Sequence, residues 1–120
     1  MSALVEGTLE RWFTVPYRAA GSPELERVGA MIAGTPANGF VGCASAISKI
    51  NYFDQLPAIT TPTLLIAGAD DPATPVSAHK DIHAQIAGST LTVIASAAHL
   101  SNIEQPAAFN GALRGFLDSL

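Results

Sequence analysis

The strongest constraint on the fold lies in the second half of the chain, where two short, unbroken apolar runs flank a helical stretch. Thr63-Leu64-Leu65-Ile66-Ala67 is entered from Pro62 and left through Gly68, and Thr90-Leu91-Thr92-Val93-Ile94-Ala95 follows the stop at Gly88. Runs of this length, rich in branched side chains and bounded by proline or glycine, read as strands, the first of them a central parallel strand buried on both faces. Between them His79, Ile82, His83 and Ile86 recur with the i, i+3, i+4, i+7 spacing of a helix. Strand, helix, strand is a βαβ unit with a right-handed crossover, so both strands run the same way and the loops after them emerge at one carboxyl edge. Pro106 opens a last helix with Phe109, Leu113, Phe116, Leu117 and Leu120 on one face. The expected fold class is α/β, with a parallel β-α-β-α unit over residues 63–120.

The first half has a helical period instead. Leu4, Val5, Leu9, Trp12 and Phe13 form an apolar stripe that ends as Pro16 approaches. Ser22 caps a second helix with Pro23 at its first position; Leu25, Val28, Met31 and Ile32 give its buried face, and Gly34 and Pro36 close it. Phe40, Val41, Ala44 and Ile47 mark a third helix that runs past Cys43 to near Asn51. Three helices over residues 1–50, an irregular connector over 51–62 and the β-α-β-α unit over 63–120 are the expected parts, the last an incomplete core.

Composition excludes several function classes. With 48% apolar and 13% charged residues the chain is globular rather than disordered. A net charge of −4 with scattered Arg and Lys argues against nucleic acid or an anionic membrane as partner. No apolar run approaches the ~20 residues that span a bilayer, and no signal peptide precedes the first helix, so the sequence reads as cytoplasmic. The single Cys43 excludes an internal disulfide and a cysteine-rich metal site. His79 and His83 stand four apart without a third ligand, so no metal is expected.

The topology has a chemical consequence. Asp70-Asp71 follows the first strand and His99 follows the second, which places a carboxylate and an imidazole on neighbouring loops at the edge where open α/β sheets bind ligands. A carboxylate bonded to one ring nitrogen fixes the tautomer and stabilises the imidazolium that forms when the other nitrogen takes a proton. Acid after one strand and histidine after the next are the last two places of the order Ser, Asp or Glu, His. A receiver-like domain using Asp70 and Asp71 for Mg²⁺ conflicts with three helices ahead of the first strand.

At these residues a family resemblance appears. "PTLLIAGADDPATPV" from Pro62 to Val76 and "AAHLSNIEQPAAFNGALRGFL" from Ala97 to Leu117 resemble the closing segments of α/β-hydrolases, specifically the 3-oxoadipate enol-lactonases. "LERWFTVPYRA" and "ANGFVGCASAI" resemble that subfamily's lid and the helix behind it. The resemblance implies that Asp71 is the triad acid and His99 the base, with Asp70 a variable neighbour that solvates the turn. It gives Glu104 a structural role near a helix start, where a negative charge suits the dipole. It further implies a lactone or ester substrate of aromatic catabolism, no cofactor, and a substrate carboxylate clamped by Arg11 while Trp12 covers the ring.

One departure matters. The family needs a serine on a strained Gly-x-Ser-x-Gly turn, and this sequence has no such pentapeptide. Gly42-Cys43-Ala44-Ser45-Ala46 falls inside a helix, and Cys43 reads as a buried, inert thiol rather than a substitute nucleophile. The expectation is the lid and carboxyl-terminal half of a longer enzyme, with Met1 internal to it and the nucleophile on missing strands. Such a chain should self-associate or need its amino-terminal half. The alternatives are another esterase or a cofactor-free haloperoxidase-like enzyme, and a catalytically inactive half that docks with a partner.

Overall fold

The computed structural model describes residues 1–120. Four helices come first: α1 (Val5–Trp12), α2 (Val15–Ala20), α3 (Pro23–Gly34) and α4 (Ala37–Ile47). Short 3-10 turns occupy Ser2–Leu4 and Phe53–Ala58, the latter within the expected irregular connector. The second half runs β1 (Leu64–Gly68), α5 (Val76–Gln85), β2 (Thr90–Ile94), α6 (Ser101–Glu104) and α7 (Pro106–Leu117). No single helix is long and apolar enough to cross a membrane, and α3 and α4 meet at a 94° bend.

Two helices were not expected. Pro16 does not simply end α1. It lies in the first turn of α2, where a missing N–H costs nothing, and the Thr14 side chain caps that turn by accepting from Tyr17 N. α6 is a single turn inside the histidine loop. The third expected helix, α4, stops at Ile47 rather than near Asn51.

The sheet consists of β1 and β2, parallel, with Leu64 opposite Thr90 and Gly68 opposite Ile94. The expected parallel pairing is present, but full burial of both faces is not. In β1 only Ala67 and Gly68 are buried, and Leu64, Leu65 and Ile66 are half-covered. With two strands, β1 has one unpaired edge and stands at a side of the sheet rather than its centre.

Two small cores hold the chain. Phe13, Val28 and Ile32 are buried together, with Val5, Leu9, Trp12, Tyr17, Leu25, Leu100 and Ile103 packed around them, so α1 and α3 meet the histidine loop. Ala67, Ile86, Ile94, Ala97 and Ala98 are buried where the βαβ unit meets that loop. Met31, expected on the buried face of α3, is exposed; only Val28 and Ile32 of that helix are buried. On α7, Phe109 and Phe116 are half-covered while Leu113 and Leu117 face solvent, as does Leu120, which lies beyond the end of the helix rather than on its expected face. Every residue of α4 is exposed. Cys43 is therefore exposed as well, which corrects the expected buried thiol: α4 is apolar, but no other element covers it.

Candidate active site

The site is built where both strands end. Beyond β1, Ala69 N donates to Ile94 O at 2.9 Å and Asp70 N to Ala97 O at 2.9 Å, so the acid turn is stitched to the loop after β2. Gly68 permits this approach. A Cβ there would fall on the carbonyl oxygens of Ala97 and Ala98, backbone atoms that cannot swing aside. On the other side Ser96 takes a left-handed conformation, φ 54°, and its carbonyl accepts from Gln105 Nε2 at 3.1 Å, which turns the chain sharply into Ala97-Ala98-His99.

Asp71 is buried, and its oxygens are fully used. Oδ1 accepts from Ala73 N at 2.8 Å and Thr74 N at 3.1 Å; Oδ2 accepts from Thr74 Oγ1 at 2.6 Å and lies 2.8 Å from His99 Nδ1. Burial pushes this carboxyl up, but the Thr74 hydroxyl, the His99 ring and the amides of Thr74 and Ala73 together hold it below the usual carboxylate range. An ionised carboxylate only accepts, so the proton in the 2.8 Å contact belongs to Nδ1, and Nε2 is the nitrogen left to exchange a proton with a reacting group. The His99 side chain is about one-third exposed, against 3% for Asp71. A buried, ionised orienting group behind a solvent-reaching imidazole is the geometry of a general base.

Trp12 covers one face of that imidazole, with ring centroids 6.0 Å apart and planes 28° from parallel. Its backbone takes part too, since Leu100 N donates to Trp12 O at 3.1 Å. Trp12 also borders a hollow of about 420 Å³ lined by Val28, Met31, Ile32 and Leu100. A larger open cleft, about 710 Å³, lies along Thr14, Tyr17, Asp70, Ser96 and Gln105.

The structure thus brings Asp71, His99 and Trp12 together. Arg11 is not among them: it is exposed, and its guanidinium donates to Thr8 Oγ1 at 3.4 Å, a turn back along its own helix. Asp70 is exposed beside Asp71, contributing its N–H rather than its carboxylate. His79 and His83 point to separate partners, Pro75 O at 3.2 Å and Ser89 Oγ at 2.7 Å, and no three metal-ligating side chains converge anywhere. Sequence reasoning missed Thr74, whose hydroxyl and amide both serve Asp71. The signal was the Asp-Pro-x-Thr spacing, in which an aspartate bonds the backbone two and three residues on.

A carboxylate–imidazole pair on successive loops at the carboxyl edge of parallel strands is the arrangement of an α/β-hydrolase. The chain belongs to the α/β-hydrolase family described as TAP-like protein (Abhydrolase_4), whose pattern matches residues 34–120. It is similar to 3-oxoadipate enol-lactonase 2 of Acinetobacter baylyi, 36% identical over 118 residues, covering 98% of this chain and 43% of that enzyme. Among solved structures, a hydrolase from Pseudomonas aeruginosa superposes with a TM-score of 0.92 at 40% identity, covering 98% of this chain and 44% of that one. The enol-lactonase from Burkholderia xenovorans gives 0.94 at 30% identity, covering 98% and 45%. The chain therefore spans less than half the length of the relatives it matches.

Proposed function

We propose that this chain carries the acid–base half of a serine-type hydrolase acting on a carboxylic ester or lactone, of the 3-oxoadipate enol-lactonase type. The observation that carries the reading is the 2.8 Å bond between buried Asp71 and His99 Nδ1, made by loops that follow adjacent parallel strands. In the proposed reaction His99 Nε2 takes the proton of a serine hydroxyl as that oxygen attacks the ester carbonyl. The proton passes to the departing enolate, and His99 then activates water to release the acyl group. Asp71 stays ionised throughout and stabilises the imidazolium. The serine, absent from these 120 residues, belongs to a segment that completes the sheet on the open edge of β1. Trp12, beside the imidazole and the apolar hollow, forms one wall for the substrate ring; Arg11 clamps a substrate carboxylate only by swinging its guanidinium away from Thr8 Oγ1.

The test joins this chain behind the amino-terminal part of an enol-lactonase that it does not match. The chimera should hydrolyse enol-lactone and lose about 10⁶ in kcat on His99→Ala and about 10⁴ on Asp71→Ala, while Arg11→Ala raises KM. A folded, serine-labelled chimera whose rate is indifferent to His99→Ala would overturn the assignment. Preference for simple activated esters over the enol-lactone would keep the mechanism and replace the substrate class. Strong hydrolysis by the 120-residue chain alone would overturn the location of the nucleophile.

A further inference from the structure

Glu104 is buried, 7% exposed, and pairs with no cation. Its carboxylate is held by neutral donors on both sides. Oε1 accepts from Thr14 N at 2.9 Å and from Thr14 Oγ1 at 2.7 Å, and Oε2 accepts from Ala98 N. Thr14 is two residues after Trp12, and Ala98 immediately precedes His99. One side chain therefore grips both segments whose rings stack at 6.0 Å, and beside the apolar packing of Trp12 and Phe13 with Leu100 and Ile103 the only other hydrogen bond between those segments at this point is Leu100 N to Trp12 O. A charge at the start of the last helix does not explain this placement, because the carboxylate bonds no amide of α7, nor of the single-turn α6, and is used up on Thr14 and Ala98.

We propose that Glu104 is a positioning residue, whose carboxylate ties the Trp12–Thr14 segment to Ala98 and so holds the indole of Trp12 over one face of the His99 imidazole. The proposal deepens the hydrolase reading and rests on it for its functional meaning. With one face covered and Nδ1 bonded to Asp71, the imidazole keeps a single working direction for Nε2. The chemistry requires an acid here. Donors approach both oxygens, and a glutamine would set its NH₂ against either Ala98 N–H or Thr14 N–H, leaving a buried donor unpaired.

Trp12 is the sole tryptophan of the chain, so its emission reports this stack directly. Protonating a stacked imidazole places a cation against the indole and quenches it. The wild-type chain should show a pH-dependent step in emission that His99→Ala abolishes. Glu104→Gln should lose most of that step while keeping its far-UV circular dichroism; Glu24→Gln, an exposed acid on α3, should retain it. Thr14→Val should lose part of the step and Thr14→Ser restore it. A folded Glu104→Gln chain with the full step overturns the proposal, as does a wild-type chain with no His99-dependent step. Should Glu104→Gln fail to fold, a full step in Thr14→Val overturns it. No turnover enters this readout, so an inactive chimera would leave the proposal standing, and an unchanged step would leave the hydrolase reading standing.

Discussion

At Asp71 burial disfavours the charge, and the hydrogen bonds from Thr74, His99 and Ala73 favour it more strongly. The carboxyl's folded pKa lies below its unfolded one, so the charged form stabilises the fold above the ordinary carboxylate range. That contribution is lost as pH falls through the lowered folded value. The urea midpoint of the wild-type chain should therefore decline as pH falls from about 5 through the ordinary carboxylate range and on below it. Asp71→Asn should flatten this decline and cost about 1–3 kcal/mol at neutral pH, because its NH₂ replaces the oxygen that accepts from Thr74 and His99. An Asp71→Asn chain with the wild-type acid limb would assign that limb to another carboxylate. The meeting of an acid with His99 was legible because topology puts the ends of successive parallel strands side by side, while the choice of Asp71 over Asp70 came from the family resemblance. Thr74 carried a spacing signal, Asp-Pro-x-Thr, that was not used, whereas Glu104, read only as a structural charge, serves Thr14 N and Ala98 N, a three-dimensional pairing that spacing does not pose. Trp12 was marked for its ring, but its stack on His99 rests on contacts across most of the chain.

Among the elements, β1, α5, β2 and α7 were legible from their periods, and α2 and α6 were not. Six and four residues are too short to show a helical repeat, and Pro16 reads equally well as a stop or a start. α4 shows the limit of periodicity from the other side. Its apolar positions form a helix as expected, but apolar character does not say what will cover it, and the structure leaves it bare. The histidine loop depends most on one backbone position. Gly68→Ala drives a methyl group into the carbonyls of Ala97 and Ala98, so either β1 or the loop must move. The expected cost is about 1–3 kcal/mol in urea unfolding, with loss of the pH-dependent Trp12 emission step because the shift falls next to His99. Gly34→Ala, where a Cβ would meet nothing, is the matched control and should be stable. Equal losses from both substitutions would mean that backbone freedom, not close approach, is what Gly68 provides.

For the molecule as a whole the surface is too large for the chain length. A compact monomer of this size should expose roughly 6,100 Å² and have a radius of gyration of about 13.6 Å. The chain exposes 7724 Å² and has a radius of gyration of 16.0 Å, with 12 of 120 residues buried. The excess is apolar in character: Phe40, Val41, Ile47, Ile50, Tyr52 and Phe53 stand in one exposed stretch, and β1 keeps an unpaired edge. Surfaces of this kind associate in water because covering them releases solvent, and open strand edges template further pairing. Purified alone, the chain should sediment with a mass that rises with concentration, and its thermal midpoint should rise in parallel, since association stabilises only the folded form. Phe40→Ser with Val41→Ser should lower the association constant without lowering the midpoint of the dilute chain, because neither side chain is buried in the monomer. A monodisperse monomer with a sharp, concentration-independent transition would show instead that the two small cores around Phe13 and Ala67 suffice for a stable fold, and that the apolar face of α4 is tolerated in water.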